Sequence, residues 1–348
     1  MTQPIENITA ESIAGQQQKL MPISTETMVS VQSTGRLHMG FFDLHGGLGR
    51  KFGSIGLSLT APSLELTASI TETLQVTGAS STRASNIIQQ FMTKLNLNGS
   101  INLNIKQHIP EHAGLGSGTQ LALAIGAAVN NLYQLNLNTA QIAHLTGRGG
   151  RSGIGIAAFD QGGVLIDGGR VVSNANIDIS NSGAPPLLVR YDFPEHWRIL
   201  LILDNSQPGI HGEEELVAFS KLPIFSENLA AHLCRHVLMQ AMPALVEQDL
   251  PAFGQSIQAL QAHVGDYFAP AQGGRYASKR VGAVLQHLEA IGVACFGQSS
   301  WGPTGFAVFE NTAEAENHLQ QLKATFTDSA LAWMICSGRN QGAEIVRY

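Results

Sequence analysis

Apolar and polar residues alternate along SINLNIKQHI, Ser100 to Ile109, with apolar side chains at every second position from Ile101 to Ile105. A period of two predicts a half-buried β-strand. The next apolar run, Thr119 to Tyr133, is rich in alanine and leucine, which favour a helix. A short glycine-rich segment separates the two runs. This region therefore predicts a strand, a glycine loop and a helix, in that order.

Further elements are predicted on both sides of this unit. Apolar residues recur at helical spacing within 84–97, and Asn138 or Thr139 can cap a short helix that reaches Arg148. The composition changes within 181–197, and WRILLILD, which follows, predicts a buried strand. The rest of the chain predicts the helices and strands of an α+β unit with an antiparallel sheet. We predict a polar N-terminal extension at 1–25, an N-terminal domain at 26–185 and a C-terminal domain at 186–348.

Composition narrows the class of protein. The 348 residues are 44% hydrophobic and 13% charged, which is typical of a globular chain of one large or two ordinary domains. A net charge of −6 argues against a nucleic-acid partner. Three scattered cysteines, a polar start and no long apolar run predict a cytoplasmic protein without signal peptide or membrane partner.

The glycine-rich segment Gly114-Leu115-Gly116-Ser117-Gly118-Thr119 is a candidate phosphate loop. Glycine accepts positive φ, so successive backbone N–H groups can point inward, and the start of a helix favours an anion. The hydroxyls of Ser117 and Thr119 can donate to a phosphate or reach its Mg²⁺. A ligand-free turn has the same composition, and no lysine follows as in a Walker loop, so the segment alone leaves the ligand open.

A second candidate region, 34–59, places charged residues among seven glycines. Its candidate residues are Arg36, His38, Asp43, Arg50 and Lys51. Arg36 and His38 share one face of an alternating strand, and Asp43 and Arg50 flank a glycine-rich turn. Cations beside a glycine loop suit a polyphosphate, and an aspartate suits its Mg²⁺. A solvated hairpin is the alternative.

Two later glycine-rich stretches add candidates. Arg148 and Arg151 lie in TGRGGRSG, where their guanidinium groups can bind an anion. Ser299 and Ser300 lie in GQSSWGPTGF, a turn between two predicted strands that can close over a ligand.

Taken together, these stretches resemble a known superfamily. PEHAGLGSG resembles the P-x-x-x-G-L-G-S-S motif of the GHMP superfamily, which includes the galactose, homoserine, mevalonate and phosphomevalonate kinases. Region 34–59 resembles the first motif of that superfamily, and GQSSWGPTGF resembles the third. The resemblance runs from Val29 to Ile335. It implies a two-domain α+β fold with an N-terminal domain like the second domain of ribosomal protein S-five, a ferredoxin-like C-terminal domain and a site between them.

Two departures count against a kinase. Gly155, in SGIGIAAFDQGG, stands where the mevalonate-type kinases have their catalytic aspartate, and Gly118 replaces the second serine of the loop motif. A kinase without its base is poorly equipped for phosphoryl transfer. RLHMGFFDLHGGLGR, GLGSGTQLALAIG, GRGGRSGIGIAAF and GQSSWGPTG instead resemble the β-ribofuranosylaminobenzene 5'-phosphate synthases, a non-kinase branch of the superfamily.

That resemblance implies a specific reaction. Phosphoribosyl pyrophosphate (PRPP) condenses with 4-aminobenzoate or 4-hydroxybenzoate to a C-riboside 5'-phosphate, with loss of CO₂ and pyrophosphate, in tetrahydromethanopterin biosynthesis. Mg²⁺ is the expected cofactor, and a homodimer the expected assembly. Because the acceptor carboxylate leaves as neutral CO₂, we expect apolar or weakly polar contacts around it. The alternatives are a GHMP small-molecule kinase with a different base and a non-catalytic protein that binds a phosphorylated metabolite.

The predicted site residues follow from these motifs. The catalytic candidates are Asp43, Arg50, Arg36 and His38, and the candidate metal ligands are Asp43 and Thr119. The candidates for binding substrate and phosphate are Gly114, Leu115, Gly116, Ser117, Gly118, Thr119, Lys51, Arg148, Arg151, Ser299 and Ser300. Which cationic group holds the pyrophosphate and which the 5'-phosphate stays open.

Overall fold

A computed structural model of the chain describes residues 20–22, 24, 26–150, 152–172, 184–209 and 222–348. The strands are β1 (Met28–Asp43), β2 (Arg50–Lys51), β3 (Gly53–Thr71), β4 (Gln75–Gly78), β5 (Ser100–Gln107), β6 (Val164–Asp167), β7 (Arg170–Val171), β8 (Leu187–Tyr191), β9 (Arg198–Asp204), β10 (Cys295–Gln298), β11 (Gly305–Phe309), β12 (Leu331–Cys336) and β13 (Glu344–Arg347). The helices are α1 (Ser81–Lys94), α2 (Ser117–Tyr133), α3 (Thr139–Leu145), α4 (Ile154–Asp160), α5 (Glu227–His236), α6 (Met242–Glu247), α7 (Leu250–Gln272), α8 (Lys279–Ala290) and α9 (Thr312–Thr325), and a π-helical turn, Val237–Ala241, joins α5 to α6.

The long strand β3 organises the first sheet. It pairs antiparallel with β1 along one edge and with β5 and β6 along the other. Strand β13 extends the sheet beyond β1, β8 extends it beyond β6, and β4 lies parallel to β5. Bulges interrupt the register of β1 between Thr34 and Arg36 and again between His38 and Gly40. Bulges re-aim the neighbouring side chains, which here are those of the predicted site.

Helix α2 forms the centre of the first domain. Its residues from Gln120 to Val129 are all buried, because the helix is apolar around its whole circumference and packs between the sheet and α1, α3 and α4. The predicted order of strand, glycine loop and helix is therefore confirmed. The predicted cap of the next helix is also confirmed: the Asn138 side chain accepts from the backbone N–H of Gln141 at 2.9 Å.

A second sheet carries the C-terminal half. Its four antiparallel strands follow the order β10-β11-β9-β12, which confirms the predicted antiparallel sheet. Strand β9 is apolar on both faces because helices pack against each face of the sheet. Leu200 and Ile202 pack with α8 and α9, whereas Ile199 and Leu201 join the main core with α7. The α+β architecture expected from the sequence is present, and β2 and β7 form a further two-stranded sheet.

Strands from the C-terminal half return to the first sheet. Strand β8 pairs with β6, and β13 pairs with β1 at Val29–Gln32. The predicted boundary at residues 185 and 186 stays a prediction, as does the extension at 1–25, most of which lies outside the described residues. Within the described ranges, none of the helices is both long and apolar enough to cross a membrane.

Candidate active site

The glycine loop adopts the conformation that its glycines permit. Gly114 and Gly116 have φ of 80° and 82°, in the left-handed region, and Gly116 directly precedes helix α2. The N–H groups of Thr119 and Gln120 each donate to the Gly116 carbonyl at 3.0 Å. Among the described residues, the N–H groups of Ser117 and Gly118 find no backbone acceptor, so they remain available at the positive end of the helix.

Three arginines surround this loop. Nη1 of Arg36 donates to the Gly114 carbonyl at 2.6 Å, and its guanidinium lies against Gly116. The Arg83 guanidinium lies against Gly118, where a Cβ atom would come within 2.2 Å of Nη2. Glycine at position 118, the departure from the serine of the superfamily motif, therefore makes room for an arginine at the start of α2.

Arg148 completes the cationic group. Burial and the positive charge of Arg83 lower its pKa to about 10, so it remains charged at neutral pH. Its Nε is buried without a hydrogen-bond partner. Within the described part of the chain, no carboxylate forms an ion pair with Arg83 or Arg148. Two close cations without a counter-ion beside a helix N-terminus are the arrangement that binds an anion.

Two residues of this region were missed by the sequence reasoning. Arg83 stands alone in the serine- and threonine-rich stretch GASSTRASN, which forms the start of α1, and nothing local distinguishes it from a surface arginine. Arg170 is 4% exposed, and its Nε donates to the Gly149 carbonyl at 3.0 Å, which fastens the loop that carries Arg148.

The hairpin residues form a second group at the far end of β1. Oδ1 of Asp43 accepts from the N–H groups of His45 and Gly46 at 2.9 and 3.2 Å. Arg50 donates to the carbonyls of Gly168 and Gly169 at 2.7 and 2.6 Å. Asp43 thus closes its own turn, and Arg50 fastens β2 to the turn after β6.

The catalytic and metal-binding roles of the hairpin stay predictions. Burial lowers the pKa of Lys51, and the neighbouring Asp43 carboxylate counteracts this shift. No hydrogen bond or ion pair between described residues joins this hairpin to the glycine loop. A strand rises about 3.3 Å per residue, so Asp43 lies roughly 20 Å along β1 from Arg36. Asp43 and Thr119, the two predicted metal ligands, consequently lie in different groups.

The third glycine-rich stretch, from the C-terminal half of the chain, contacts the glycine loop. The Ser299 hydroxyl accepts from the His38 N–H at 3.0 Å and donates to the Gly114 carbonyl at 2.8 Å. The N–H of Ser300 donates to the His38 carbonyl at 3.1 Å. Both serines therefore lie at the loop and join the two domains there, while their predicted contact with substrate stays a prediction. Arg151 lies outside the described residues.

His38 lies beneath this junction. It is 4% exposed and lines a small cavity with Phe41, Phe268 and Trp301. Burial, reinforced by the charge of Arg36, lowers its pKa to about 3, so the imidazole is neutral at physiological pH. The cavity and the cationic group are thus adjacent along β1.

The position of the missing kinase base faces the glycine loop. A Cβ at Gly155 would lie 3.1 Å from Cγ2 of Thr119, and the Gly155 carbonyl accepts from the Gln120 side chain at 2.8 Å. A buried carboxylate, Asp167, lies on the neighbouring strand β6. It already accepts from four groups, the hydroxyls of Ser54 and Ser152 and the N–H groups of Gly153 and Gly169, at 2.7 to 2.9 Å. Asp167 therefore holds the start of α4 and does not replace the base.

Replacing Asp167 by alanine should lower the free energy of unfolding by about 3 kcal/mol, because several buried donors lose their acceptor at once. Chemical denaturation followed by circular dichroism measures this. Asp160→Ala is the matched control: Asp160 is an exposed aspartate that accepts from the Thr139 hydroxyl, and its loss should cost less than about 1 kcal/mol. Equal losses in the two variants would contradict the structural role of Asp167.

Family models and solved structures show which known proteins this chain is similar to in sequence and fold. The GHMP kinases N terminal domain family matches residues 82–163, and the GHMP kinases C terminal family matches residues 241–328. A homoserine kinase from Cytophaga hutchinsonii superposes with a TM-score of 0.64 at 16% identity, covering 93% of this chain and 98% of that one. A mevalonate diphosphate decarboxylase from Staphylococcus aureus superposes with a TM-score of 0.60 at 12% identity, covering 92% and 98%. At such identities these two structures establish the fold alone.

Sequence relatives are more specific. A β-ribofuranosylphenol 5'-phosphate synthase from Archaeoglobus fulgidus is 33% identical over 325 residues, covering 91% of this chain and 99% of the relative. A protein of the same name from Methanothermobacter thermautotrophicus is 29% identical, covering 91% and 98%. The chain therefore belongs to the β-ribofuranosylphenol 5'-phosphate synthase family of enzymes, within the GHMP superfamily.

Proposed function

We propose that the protein is a PRPP-dependent, decarboxylating ribosyltransferase that joins the ribose 5-phosphate unit to a para-substituted benzoate. One observation carries the proposal. Arg83 lies against Gly118 at the start of α2 and close enough to Arg148 for its charge to lower the pKa of that arginine, and neither forms an ion pair with a described carboxylate, whereas the kinase base position is Gly155, facing Thr119. Among the described residues, the site is thus equipped for anions and has no carboxylate at the position that would activate an alcohol.

The proposed chemistry uses these groups without a protein nucleophile. When the C1–O bond of PRPP breaks, negative charge grows on the departing pyrophosphate and positive charge on the ribose carbon. Arginines and helix N–H groups stabilise the pyrophosphate charge. The ring carbon that bears the carboxylate forms the new bond to C1, and the C–CO₂ bond then breaks and returns its electron pair to the ring.

The two cationic groups suit the two anionic ends of PRPP. We propose that pyrophosphate binds at the glycine loop with Arg36, Arg83 and Arg148, because charge develops there during the reaction. The 5'-phosphate then lies toward the hairpin, where Lys51 is the cation whose ammonium group forms no hydrogen bond with another described residue.

Mg²⁺ enters this proposal with PRPP, as part of the substrate. The hydroxyls of Ser117 and Thr119 form no hydrogen bonds with described residues, and Oδ2 of Asp43 likewise has no described donor. These oxygens are of the hard type that Mg²⁺ prefers. Thr119 would contact a metal on the pyrophosphate, and Asp43 a metal or hydroxyl nearer the ribose.

The acceptor is 4-hydroxybenzoate or 4-aminobenzoate. The relatives are named for a phenol product, which favours the hydroxy compound. We also propose that the enzyme acts in tetrahydromethanopterin biosynthesis, as a cytoplasmic homodimer without nucleic-acid or membrane partners.

Magnesium pyrophosphate should stabilise the protein by relieving repulsion between Arg83 and Arg148. At a concentration 100 times its Kd, a ligand that binds only the folded state adds about 2.7 kcal/mol to the free energy of unfolding. Thermal unfolding with and without pyrophosphate measures this. The shift should largely vanish in Arg148→Met, which keeps the length of the side chain without its charge, and an undiminished shift would contradict the assignment.

Release of labelled CO₂ from carboxyl-labelled 4-hydroxybenzoate and 4-aminobenzoate tests the function itself. Release should require PRPP and Mg²⁺ and be indifferent to ATP. ADP formation from ATP with a small alcohol, without CO₂ release, would favour the kinase alternative. Binding of PRPP without any turnover would favour a binding protein.

A further inference from the structure

The cavity beside the glycine loop is lined by aromatic side chains on two sides, in contrast to the arginines of the cationic group. His38 and Phe41 from β1 form one side, with their rings 4.5 Å apart, and Phe268 of α7 and Trp301 form the other, with their rings 4.3 Å apart. These aromatic walls come from both domains. A cavity of this kind suits a flat aromatic ring.

One polar atom in this cavity stands out. Nε2 of His38 is buried and has no hydrogen-bond partner among the residues that the structure describes. The amides of Gln261 and Gln298, by contrast, are committed to neighbouring backbone groups. A buried polar atom without a partner costs free energy, so its presence in an aromatic cavity indicates a ligand that completes it.

The state of the His38 ring determines which ligand group fits. The residue's own backbone partly opposes the lowering of the His38 pKa, which places a ring N–H on the side of that backbone. Because Nε2 has no partner among the described residues, we assign the ring proton to Nδ1. Nε2 is then a neutral acceptor. An acceptor repels a carboxylate and binds an O–H or N–H group, so His38 cannot hold the carboxylate end of a benzoate.

The rim of the cavity places no unpaired cation beside the carboxylate end of the benzoate among the described residues. Arg275 lies there, but its guanidinium is already paired with Asp266 through bonds of 2.7 and 2.9 Å. A neutralised arginine does not clamp a carboxylate that must depart as CO₂. This agrees with the weakly polar surroundings expected from the chemistry.

We propose that this cavity is the acceptor subsite and that His38 Nε2 accepts a hydrogen bond from the para hydroxyl or amino group of the benzoate. The proposal rests on the proposed function and deepens it. When the para hydroxyl or amino group donates this hydrogen bond, its oxygen or nitrogen releases more electron density into the benzoate ring. The opposite ring carbon, which bears the carboxylate, then attacks C1 more readily. His38 thereby selects acceptors with a para donor.

Entry of the ring requires a side-chain movement. The cavity measures about 30 Å³, whereas an engineered cavity that binds benzene measures roughly 150 Å³. Phe268 or Trp301 must therefore swing outward, and binding should change the fluorescence of Trp301.

Calorimetric binding of 4-hydroxybenzoate, 4-fluorobenzoate and benzoate to the protein with magnesium pyrophosphate tests the subsite without turnover. Wild-type protein should bind 4-hydroxybenzoate about tenfold more tightly than the two compounds without a donor, as one buried hydrogen bond allows. His38→Leu should abolish this preference, and His38→Gln, which retains an acceptor, should restore part of it. His287→Leu, at a half-exposed histidine of α8 that lies outside both proposed binding groups, is the matched control.

The outcomes separate the two proposals. Equal affinities for the three compounds in wild-type protein, or a preference that survives in a folded His38→Leu variant, would overturn the subsite even if CO₂ release occurs. Val264→Phe, which fills the cavity from α7, should block 4-hydroxybenzoate while leaving the pyrophosphate thermal shift intact. Wild-type protein that neither binds a benzoate nor releases CO₂ would overturn the proposed function, and the subsite with it.

Discussion

Alanine at Arg83 or Arg148 is expected to lower kcat/KM for PRPP by about 100-fold, which corresponds to about 2.7 kcal/mol and to the loss of one charge-assisted contact with phosphate. The two guanidinium groups lie at the start of α2 without a carboxylate partner among the described residues. Steady-state kinetics with PRPP varied at saturating acceptor measures the effect. If these arginines stabilise the pyrophosphate as it leaves, the variants should show a lower kcat in addition to a higher KM for PRPP.

The two variants also differ in their expected stability. Arg148 is largely buried beside another cation, so its removal should leave the free energy of unfolding unchanged or slightly increase it. Arg235→Ala is the matched control, because Arg235 is an exposed arginine on α5 and its loss should leave kinetics and stability unchanged. Wild-type kinetics in both Arg83→Ala and Arg148→Ala would show that pyrophosphate binds elsewhere.

Alanine at Gly114 is expected to abolish measurable activity and to lower the free energy of unfolding by about 3 kcal/mol, through strain at positive φ and a steric clash. Gly114 has φ of 80°, and a Cβ there would lie 2.4 Å from the Ser299 carbonyl oxygen. The clash falls on backbone, which cannot yield as a flexible side chain can. It would push apart the junction that joins the loop, His38 and the C-terminal domain.

Gly273→Ala is the matched control for this prediction. Gly273 has φ of 81° at the end of α7, but no atom of a described residue lies within 4 Å of a Cβ placed there. Its replacement should cost only about 1 kcal/mol and leave activity intact. Equal losses in the two variants would mean that backbone conformation alone, and not the contact with Ser299, explains the requirement for glycine at position 114.

Local patterns predicted the elements that build the site. Alternation from Ser100 predicted β5, and the alanine-rich run predicted α2, because burial imposes these periods on the chain. The glycine loop was also predictable, since Gly114 and Gly116 occupy conformations that other residues rarely adopt. In each case the controlling physics acts within a few residues.

The residues that sequence reasoning missed depend on contacts between distant segments. Arg83 reaches the loop because Gly118, 35 positions later, leaves the space for its guanidinium. Arg50, whose predicted contact with phosphate stays a prediction, donates to the carbonyls of Gly168 and Gly169 in a turn far along the chain. The spacing of apolar and polar residues within a segment carries no information on such contacts between distant segments.

The measurement that tests the central claim most directly is the identification of the products formed from PRPP and 4-hydroxybenzoate by mass spectrometry. We predict a phenol carrying ribose 5-phosphate through a carbon–carbon bond, with CO₂ and pyrophosphate in equal amounts. A phosphorylated alcohol formed at the expense of ATP, with PRPP left intact, would contradict the account.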